Sequence, residues 1–75
     1  MLLNLKKIET TRKSNKKSVT EMGLIMGMNG ASYWKKENGI YSFNANELPI
    51  LMDALGKDIT ELPEFFLDDN LPISK

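Results

Sequence analysis

The sequence predicts an all-α fold, a compact domain of five helices, and three observations lead to it. Apolar residues recur at helical spacing along nearly the whole chain, most regularly at Leu48, Leu51, Met52 and Leu55. Residues that favour helix starts precede these stripes, and glycines follow them. Only residues 40–43 alternate in hydropathy as a β-strand would, and they are too few for a β-hairpin. The predicted helices span residues 3–14, 19–26, 30–37, 46–55 and 59–66.

Prolines decide the boundaries of the last two helices. For the fourth helix we prefer Asn46 to Asn44 as the N-terminal cap, because Pro49 then falls in the first turn, where no intrahelical N–H is lost. Pro63 interrupts the last apolar stripe. The fifth helix is therefore expected to be short or to restart at that proline.

Length and composition predict one soluble domain over residues 1–75, with a C-terminal tail over residues 67–75. Hydrophobic residues make up 41% of the chain and charged residues 27%, which is ordinary for a globular protein. Cysteine and histidine are absent, which excludes a disulfide framework, a zinc finger and thiol catalysis, so no metal or cofactor is expected. No apolar run is long enough to span a membrane, and no secretory signal is recognisable, so we expect a cytoplasmic protein.

The net charge of zero conceals a division between the two halves of the chain. Residues 1–36 carry eight basic and two acidic groups, a net of +6, whereas residues 37–75 carry two basic and eight acidic groups, a net of −6. Such asymmetry favours a surface that binds a polyanion and an acidic part that is kept away from it. The alternative is a dipolar surface that is simply solvated.

The second and third predicted helices are separated only by residues 27–29. A connection this short forces a steep crossing, as in a helix-turn-helix unit over about residues 19–37. The crossing needs a small residue where the helices touch, and Gly23 lies one turn before the corner. Asn29 is a candidate cap for the third helix. The side chains predicted to point inward are Met22, Met26, Met28 and Tyr33.

An ordered set of short motifs runs from Arg12 to Leu62. It comprises Arg12, Glu-Met-Gly at 21–23, Gly-Met-Asn at 27–29, Tyr33, Glu-Asn-Gly at 37–39, Ala-Leu-Gly at 54–56 and Ile-Thr-Glu-Leu at 59–62. In order and spacing this set resembles the Cro/repressor-type helix-turn-helix domain, the XRE family of phage repressors and Cro proteins. The resemblance implies a lambda-repressor-like DNA-binding fold. It also implies a structural ion pair between Arg12 and Glu37, which would tie the first helix to the end of the third.

The chain departs from the family pattern at three places. Lys36 stands where a hydrophobic residue usually precedes the Glu-x-Gly motif, and Lys17 stands where a leucine usually precedes the cap of the second helix. Gly30 and Ala31 occupy the start of the third helix, where the family often carries side chains that hydrogen-bond bases. Ala31 can contact only a thymine methyl group.

The resemblance also implies which residues meet DNA. The start of the second helix would bind a phosphate, the third helix would read bases, and the loop after it would follow the phosphate backbone. The candidate DNA-binding residues are Lys16, Lys17, Ser18, Asn29, Gly30, Ala31, Ser32, Trp34, Lys35, Asn38, Tyr41 and Ser42.

Several of these residues have a structural alternative. Ser18 has the capping-box spacing with Glu21, a role that is compatible with phosphate binding. The lysines can belong to a solvated face. Trp34 can be a core or dimer residue, and the loop residues can be ordinary loop residues. Near the C-terminus, three apolar residues would either cover the core or form a dimer contact, namely Phe65, Phe66 and Leu67.

The function predicted from these residues is that of a sequence-specific, non-enzymatic DNA-binding regulator of transcription, like a phage Cro or repressor domain. Its partner would be double-stranded DNA, with a palindromic operator bound by a homodimer, and no small-molecule ligand is expected. The alternative is a helix-turn-helix fold that binds protein, as an antirepressor, an antitoxin-like partner or an inhibitor. An enzyme is disfavoured because the chain lacks His, Cys and a Gly-rich phosphate loop.

Overall fold

Residues 2–67 are described by the computed structural model, and most of them are helical. The elements are β1 (Leu2–Leu3), α1 (Leu5–Ser14), α2 (Val19–Met26), α3 (Gly30–Glu37), a 3₁₀ turn (Ala45–Glu47), α4 (Leu48–Ala54), a 3₁₀ segment (Ile59–Phe65) and β2 (Phe66–Leu67). With the 3₁₀ turn counted with α4, the helical stretches in residues 2–67 number five, and the all-α prediction is confirmed. The predicted tail lies outside the described residues except for Leu67.

Side-chain caps begin the second and third helices as predicted. Ser18 Oγ accepts a hydrogen bond of 3.0 Å from Glu21 N, and the Glu21 carboxylate accepts one of 2.9 Å from Ser18 N, which completes a capping box. Asn29 Oδ1 accepts from Ser32 N at 2.7 Å. These bonds satisfy backbone donors that have no partner within the helix, and they fix where α2 and α3 begin.

The preferred cap of the fourth helix was wrong. Asn44, rather than Asn46, forms the capping box with Glu47, and it caps the 3₁₀ turn that precedes α4. Asn46 lies inside that turn. The turn delivers the chain to α4 with Pro49 in the first α-helical turn, so the proline still costs no intrahelical hydrogen bond.

The predicted fifth helix is not an α-helix. Residues Ile59–Phe65 form a 3₁₀ segment with Pro63 inside it, because a residue without an N–H cannot continue an α-helical hydrogen-bond ladder. The chain then forms a two-residue strand that pairs antiparallel with β1, with Leu2 opposite Leu67 and Leu3 opposite Phe66. The first helix therefore begins at Leu5 rather than at residue 3. Strands of two residues leave no periodicity in a sequence.

One hydrophobic core joins all the helical stretches. Its buried members are Ile8, Met22, Met26, Tyr33, Leu51, Met52, Ala54, Leu55 and Phe65. Phe65 is only 2% exposed, so its proposed role as a dimer contact was wrong, and its ring belongs to the intramolecular core. Phe66 is half-buried and Leu67 is exposed.

The corner between α2 and α3 depends on Gly23. A Cβ atom on Gly23 would lie 2.7 Å from the carbonyl oxygen of Met28 and 2.8 Å from the carbonyl carbon of Asn29. Only glycine permits so close an approach, which confirms the predicted need for a small residue. Gly27 ends α2 in the left-handed conformation, with φ at 76°. The chain turns there and enters α3 within three residues.

Candidate nucleic-acid interface

A buried ion pair fixes the elements that carry the candidate interface. Arg12 Nε donates to Glu37 Oε2 at 2.9 Å, and Arg12 Nη2 donates to Glu37 Oε1 at 3.1 Å. The Tyr33 hydroxyl donates to the same Oε2 at 2.7 Å. The structure thus brings Arg12 and Glu37 together, with 8% and 5% of their surfaces exposed. The hydrogen bond to Glu37 raises the pKa of Arg12, and burial raises the pKa of Tyr33.

Arg12 also holds the segment that leads into α2. Its Nη1 donates to the carbonyl oxygen of Lys17 at 2.7 Å. Lys16 has a φ of 58°, a left-handed conformation, and its N–H donates to Lys13 O at 2.9 Å. The turn that presents Lys16 and Lys17 beside Ser18 is therefore fixed by the same guanidinium that binds Glu37. Of these residues, Lys16 and Ser18 are exposed and Lys17 is half-buried.

Gly30 has a packing role that the sequence interpretation missed. A Cβ atom on Gly30 would lie 3.0 Å from Thr20 Oγ1 and 3.1 Å from Thr20 Cα. The first turn of α3 therefore packs directly on the first turn of α2. This contact accounts for a glycine at the start of α3 without any role in reading bases. The sequence indicated the helix contact at Gly23, which lies one turn before the corner, but it carried no such signal for Gly30.

The exposed side of α3 carries most of the residues predicted to read bases. Ala31 and Trp34 are exposed, Ser32 and Lys35 are half-buried, and Trp34 retains 47% of its accessible surface. The core alternative for Trp34 was therefore wrong. Asn38, at the end of α3, is exposed and donates from its side-chain amide to Trp34 O at 2.9 Å. Asn29 is exposed, but its side chain is engaged in capping α3.

Lys35 is in contact with the loop that follows α3. Its carbonyl oxygen accepts from Ile40 N at 2.8 Å and from Tyr41 N at 3.2 Å. Its ammonium lies 5.3 Å from the centre of the Tyr41 ring. A cation–π contact at an exposed site contributes about 0.5–1 kcal/mol, so a stronger acceptor such as a base or phosphate would displace it. Tyr41 and Ser42 are both exposed.

A second ion pair joins α3 to the 3₁₀ turn that precedes α4. Lys36 Nζ donates to both carboxylate oxygens of Glu47, at 2.7 and 2.9 Å, and to Ser42 O at 3.3 Å. The ammonium thereby finds polar partners at a position where the resemblance led us to expect a hydrophobic side chain. The sequence interpretation missed this pair, because the two residues are separated by a loop whose path no local pattern reveals.

The other lysines in residues 2–67 divide into those with a carboxylate partner among these residues and those without one. Lys6 and Lys13 pair with Glu9, and Lys7 pairs with Glu64. The hydrogen bond from Lys13 lowers the pKa of Glu9. Four lysines have no carboxylate partner within residues 2–67, and three of them are candidate DNA-binding residues. These four are Lys16, Lys17, Lys35 and Lys57.

Comparison with known proteins adds no functional assignment. No family model, curated protein sequence or solved structure matches this chain. None of the helices in residues 2–67 has the length and apolar content that crossing a membrane demands. The same residues contain no cluster of three acidic side chains suited to hold a metal ion. The functional argument therefore depends on the geometry of α2, α3 and the loop after them.

Proposed function

We propose that this chain is a sequence-specific DNA-binding regulator of transcription, similar to phage Cro and repressor domains. In this proposal α2 and α3 form the helix-turn-helix unit, and α3 enters the major groove with its first turns facing the bases. The observation that carries the proposal is the packing of Gly30 on Thr20, which sets the first turns of α2 and α3 side by side. Lys35 on α3, and Lys16 and Lys17 just before α2, have no carboxylate partner within residues 2–67.

Phosphate binding would be shared by the two ends of this surface. At the start of α2, Ser18 and the N-terminal backbone amides favour an anion, and Lys16 and Lys17 precede them. At the other end, Asn38, Tyr41 and Ser42 are donors suited to the phosphate backbone. Contacts of this kind supply affinity and set the register of the protein on the duplex without reading sequence.

Base reading would come from the middle of the surface. Lys35 can donate to guanine O6 and N7, and Ser32 can donate to or accept from any base edge. Ala31 presents a methyl group to thymine, and the exposed Trp34 ring packs on sugar or methyl groups. These side chains discriminate fewer bases than a helix rich in Gln, Arg and Asn. Two copies on a palindrome would double the number of bases read.

The experiment that tests this function is selection from a pool of random DNA duplexes with the purified chain at a stated salt concentration. We expect a palindromic sequence to be enriched. Lys35→Ala should then cost about 1–3 kcal/mol on the best site and blur the preference at one base pair. Lys57→Ala is the matched control, because Lys57 also lacks a carboxylate partner in residues 2–67 but lies after α4. Enrichment of no sequence would contradict the proposal.

A protein-binding role is the second candidate, and one observation favours it. Leu24 is 76% exposed on α2, and Ile25 beside it is 44% exposed. Large apolar side chains that remain exposed together are typical of surfaces that a protein partner covers. If selection enriches no DNA, Leu24→Lys and Ile25→Lys become the variants to test for loss of a protein partner.

A further inference from the structure

Two consecutive lysines at the end of α3 fasten the loop formed by residues 38–44. Lys35 holds the first part, since its carbonyl oxygen accepts from the N–H groups of Ile40 and Tyr41 and its ammonium lies over the Tyr41 ring. Lys36 holds the last part through Ser42 O and Glu47. Tyr41 and Ser42, whose side chains are exposed, are thus each attached to one of the two lysines.

Glu47 connects this attachment to the start of the next helical stretch. Its carboxylate accepts from Lys36 Nζ and also from Asn44 N at 3.0 Å, and its own N–H donates to Asn44 Oδ1 at 3.2 Å. Partial burial pushes the pKa of Glu47 upward, but the hydrogen bonds from Lys36 and Asn44 outweigh it, and the net pKa is lower than usual. The carboxylate is therefore ionised and fully engaged with the loop.

The Lys36 ammonium donates hydrogen bonds that a hydrophobic residue at this position could not donate. An ammonium has three donors, and here they reach a loop carbonyl and a carboxylate of the following helical stretch at the same time. The side chains of Lys36 and Glu47 are 14% and 17% exposed, so the positive charge is compensated and mostly withdrawn from solvent. Such a pair is poorly suited to neutralise a phosphate.

We propose that Lys36 is a positioning residue for DNA binding, whose hydrogen bonds to Glu47 and Ser42 hold the loop of residues 38–44 so that Tyr41 and Ser42 reach the phosphate backbone. The inference rests on the proposed function. The positive charge of Lys36 suggests a direct contact with phosphate, whereas the inference gives Lys36 an indirect role through the loop. A lysine that contacts phosphate competes with its carboxylate partner for the ammonium, whereas a positioning lysine depends on that partner.

Removing the carboxylate separates these two roles. Glu47→Ala and Asp53→Ala each remove one negative charge, and the exposed Asp53 serves as the matched control. If Lys36 positions the loop, the Glu47 variant binds a labelled mixed-sequence duplex of about 20 base pairs, two helical turns, more weakly than the Asp53 variant. The slope of log affinity against log salt should also become shallower, by about 0.9 for each phosphate that the loop no longer reaches.

A charge-neutral double variant provides the second test. Lys36→Met combined with Glu47→Met leaves the net charge unchanged and replaces the pair by apolar side chains, an exchange that folded proteins often tolerate. We expect helical content by circular dichroism to persist, while the duplex binds more weakly and with a shallower salt slope. Lys36→Arg keeps donors for both partners, so it should retain wild-type binding.

The outcomes distinguish this inference from the proposed function. A wild-type chain that binds the duplex with no salt dependence overturns the proposed function and the inference with it. A salt-dependent wild type together with a Glu47→Ala variant that binds as tightly as Asp53→Ala, or tighter, overturns the inference alone. Wild-type affinity and slope in a folded double variant also overturn it.

Discussion

Tyr33 and Arg12 donate to the same carboxylate oxygen, Oε2 of Glu37, at 2.7 and 2.9 Å. The shared acceptor joins α1 to two successive turns of α3, since Tyr33 and Glu37 lie one turn apart. The network is almost fully buried. Removing Arg12 leaves the Glu37 carboxylate without a counter-charge, and removing Glu37 leaves the Tyr33 hydroxyl without its acceptor.

Loss of Arg12 is expected to be severe. Arg12→Ala leaves Glu37 with an uncompensated buried charge and should lower the free energy of unfolding by about 3–5 kcal/mol. A small domain has only about 5–15 kcal/mol in total. Urea denaturation followed by circular dichroism measures the change. Lys13→Ala is the control, because Lys13 forms an exposed pair with Glu9 and should cost at most about 1 kcal/mol. Equal losses in the two variants would contradict the buried role.

Alkaline pH should destabilise the fold through Tyr33. Burial, with the hydrogen bond to Glu37, raises the pKa of Tyr33 above its ordinary value of 10.0. A raised folded-state pKa means that the stabilisation is complete below pH 10 and is lost as pH rises beyond it, because only the unfolded chain ionises. We expect the free energy of unfolding to decline above about pH 10. Tyr33→Phe should make this decline in the free energy of unfolding shallower. A decline as steep in Tyr33→Phe as in the wild type would contradict the role of Tyr33.

The two packing glycines should differ in their tolerance of a methyl group. Gly23→Ala would place Cβ 2.7 Å from a backbone oxygen, whereas Gly30→Ala would place it 3.0 Å from a side-chain oxygen of Thr20 and 3.1 Å from its Cα. Overpacking typically costs about 1–3 kcal/mol, and we expect the Gly23 variant to lie at or above the top of that range. Thermal unfolding of the two variants shows which one is less stable. A more stable Gly23→Ala than Gly30→Ala would show that the corner relaxes readily.

Dimerisation on DNA is expected to involve the β1–β2 pair. Leu67 is 44% exposed, and its partner across the pair, Leu2, is 65% exposed on the same face. Leu67→Glu should therefore preserve helical content and half-site affinity but abolish the advantage of a palindrome over a half-site. Phe65→Glu should instead unfold the chain, because Phe65 is a core residue. Sedimentation of Leu67→Glu with and without duplex measures whether the variant still associates. An undiminished preference of this variant for the palindrome would show that the dimer contact lies elsewhere.

Local signals in the sequence predicted the local features well. The Ser18 cap and the Gly27 helix end follow from hydrogen bonds and backbone angles that span a few residues, so spacing alone predicts them. The Arg12–Glu37 contact lies beyond the reach of spacing, and only the family resemblance indicated it. Asn46 was preferred to Asn44 because it places Pro49 in the first turn of the helix, but the 3₁₀ turn that begins after Asn44 places Pro49 there as well.

Features that depend on the path of a loop were not predictable. The Lys36–Glu47 pair exists because residues 38–44 bring the start of the next helical stretch back to α3, and no periodicity encodes that return. The strand pair of Leu3 and Phe66 likewise joins residues from opposite ends of the described chain. Gly30 was interpreted from its position at the start of α3. Its contact with Thr20 on α2 determines which side chain fits at that position.

The pairing of β1 with β2 has a consequence for the order of folding. It closes a loop that includes every helix, so it carries the largest entropic cost of closure and offers few hydrogen bonds in return. Helices α2 and α3 are joined within three residues and can meet long before the two strands do. The strand pair is therefore expected to form last and to open first, which exposes Phe66 while the helical core persists.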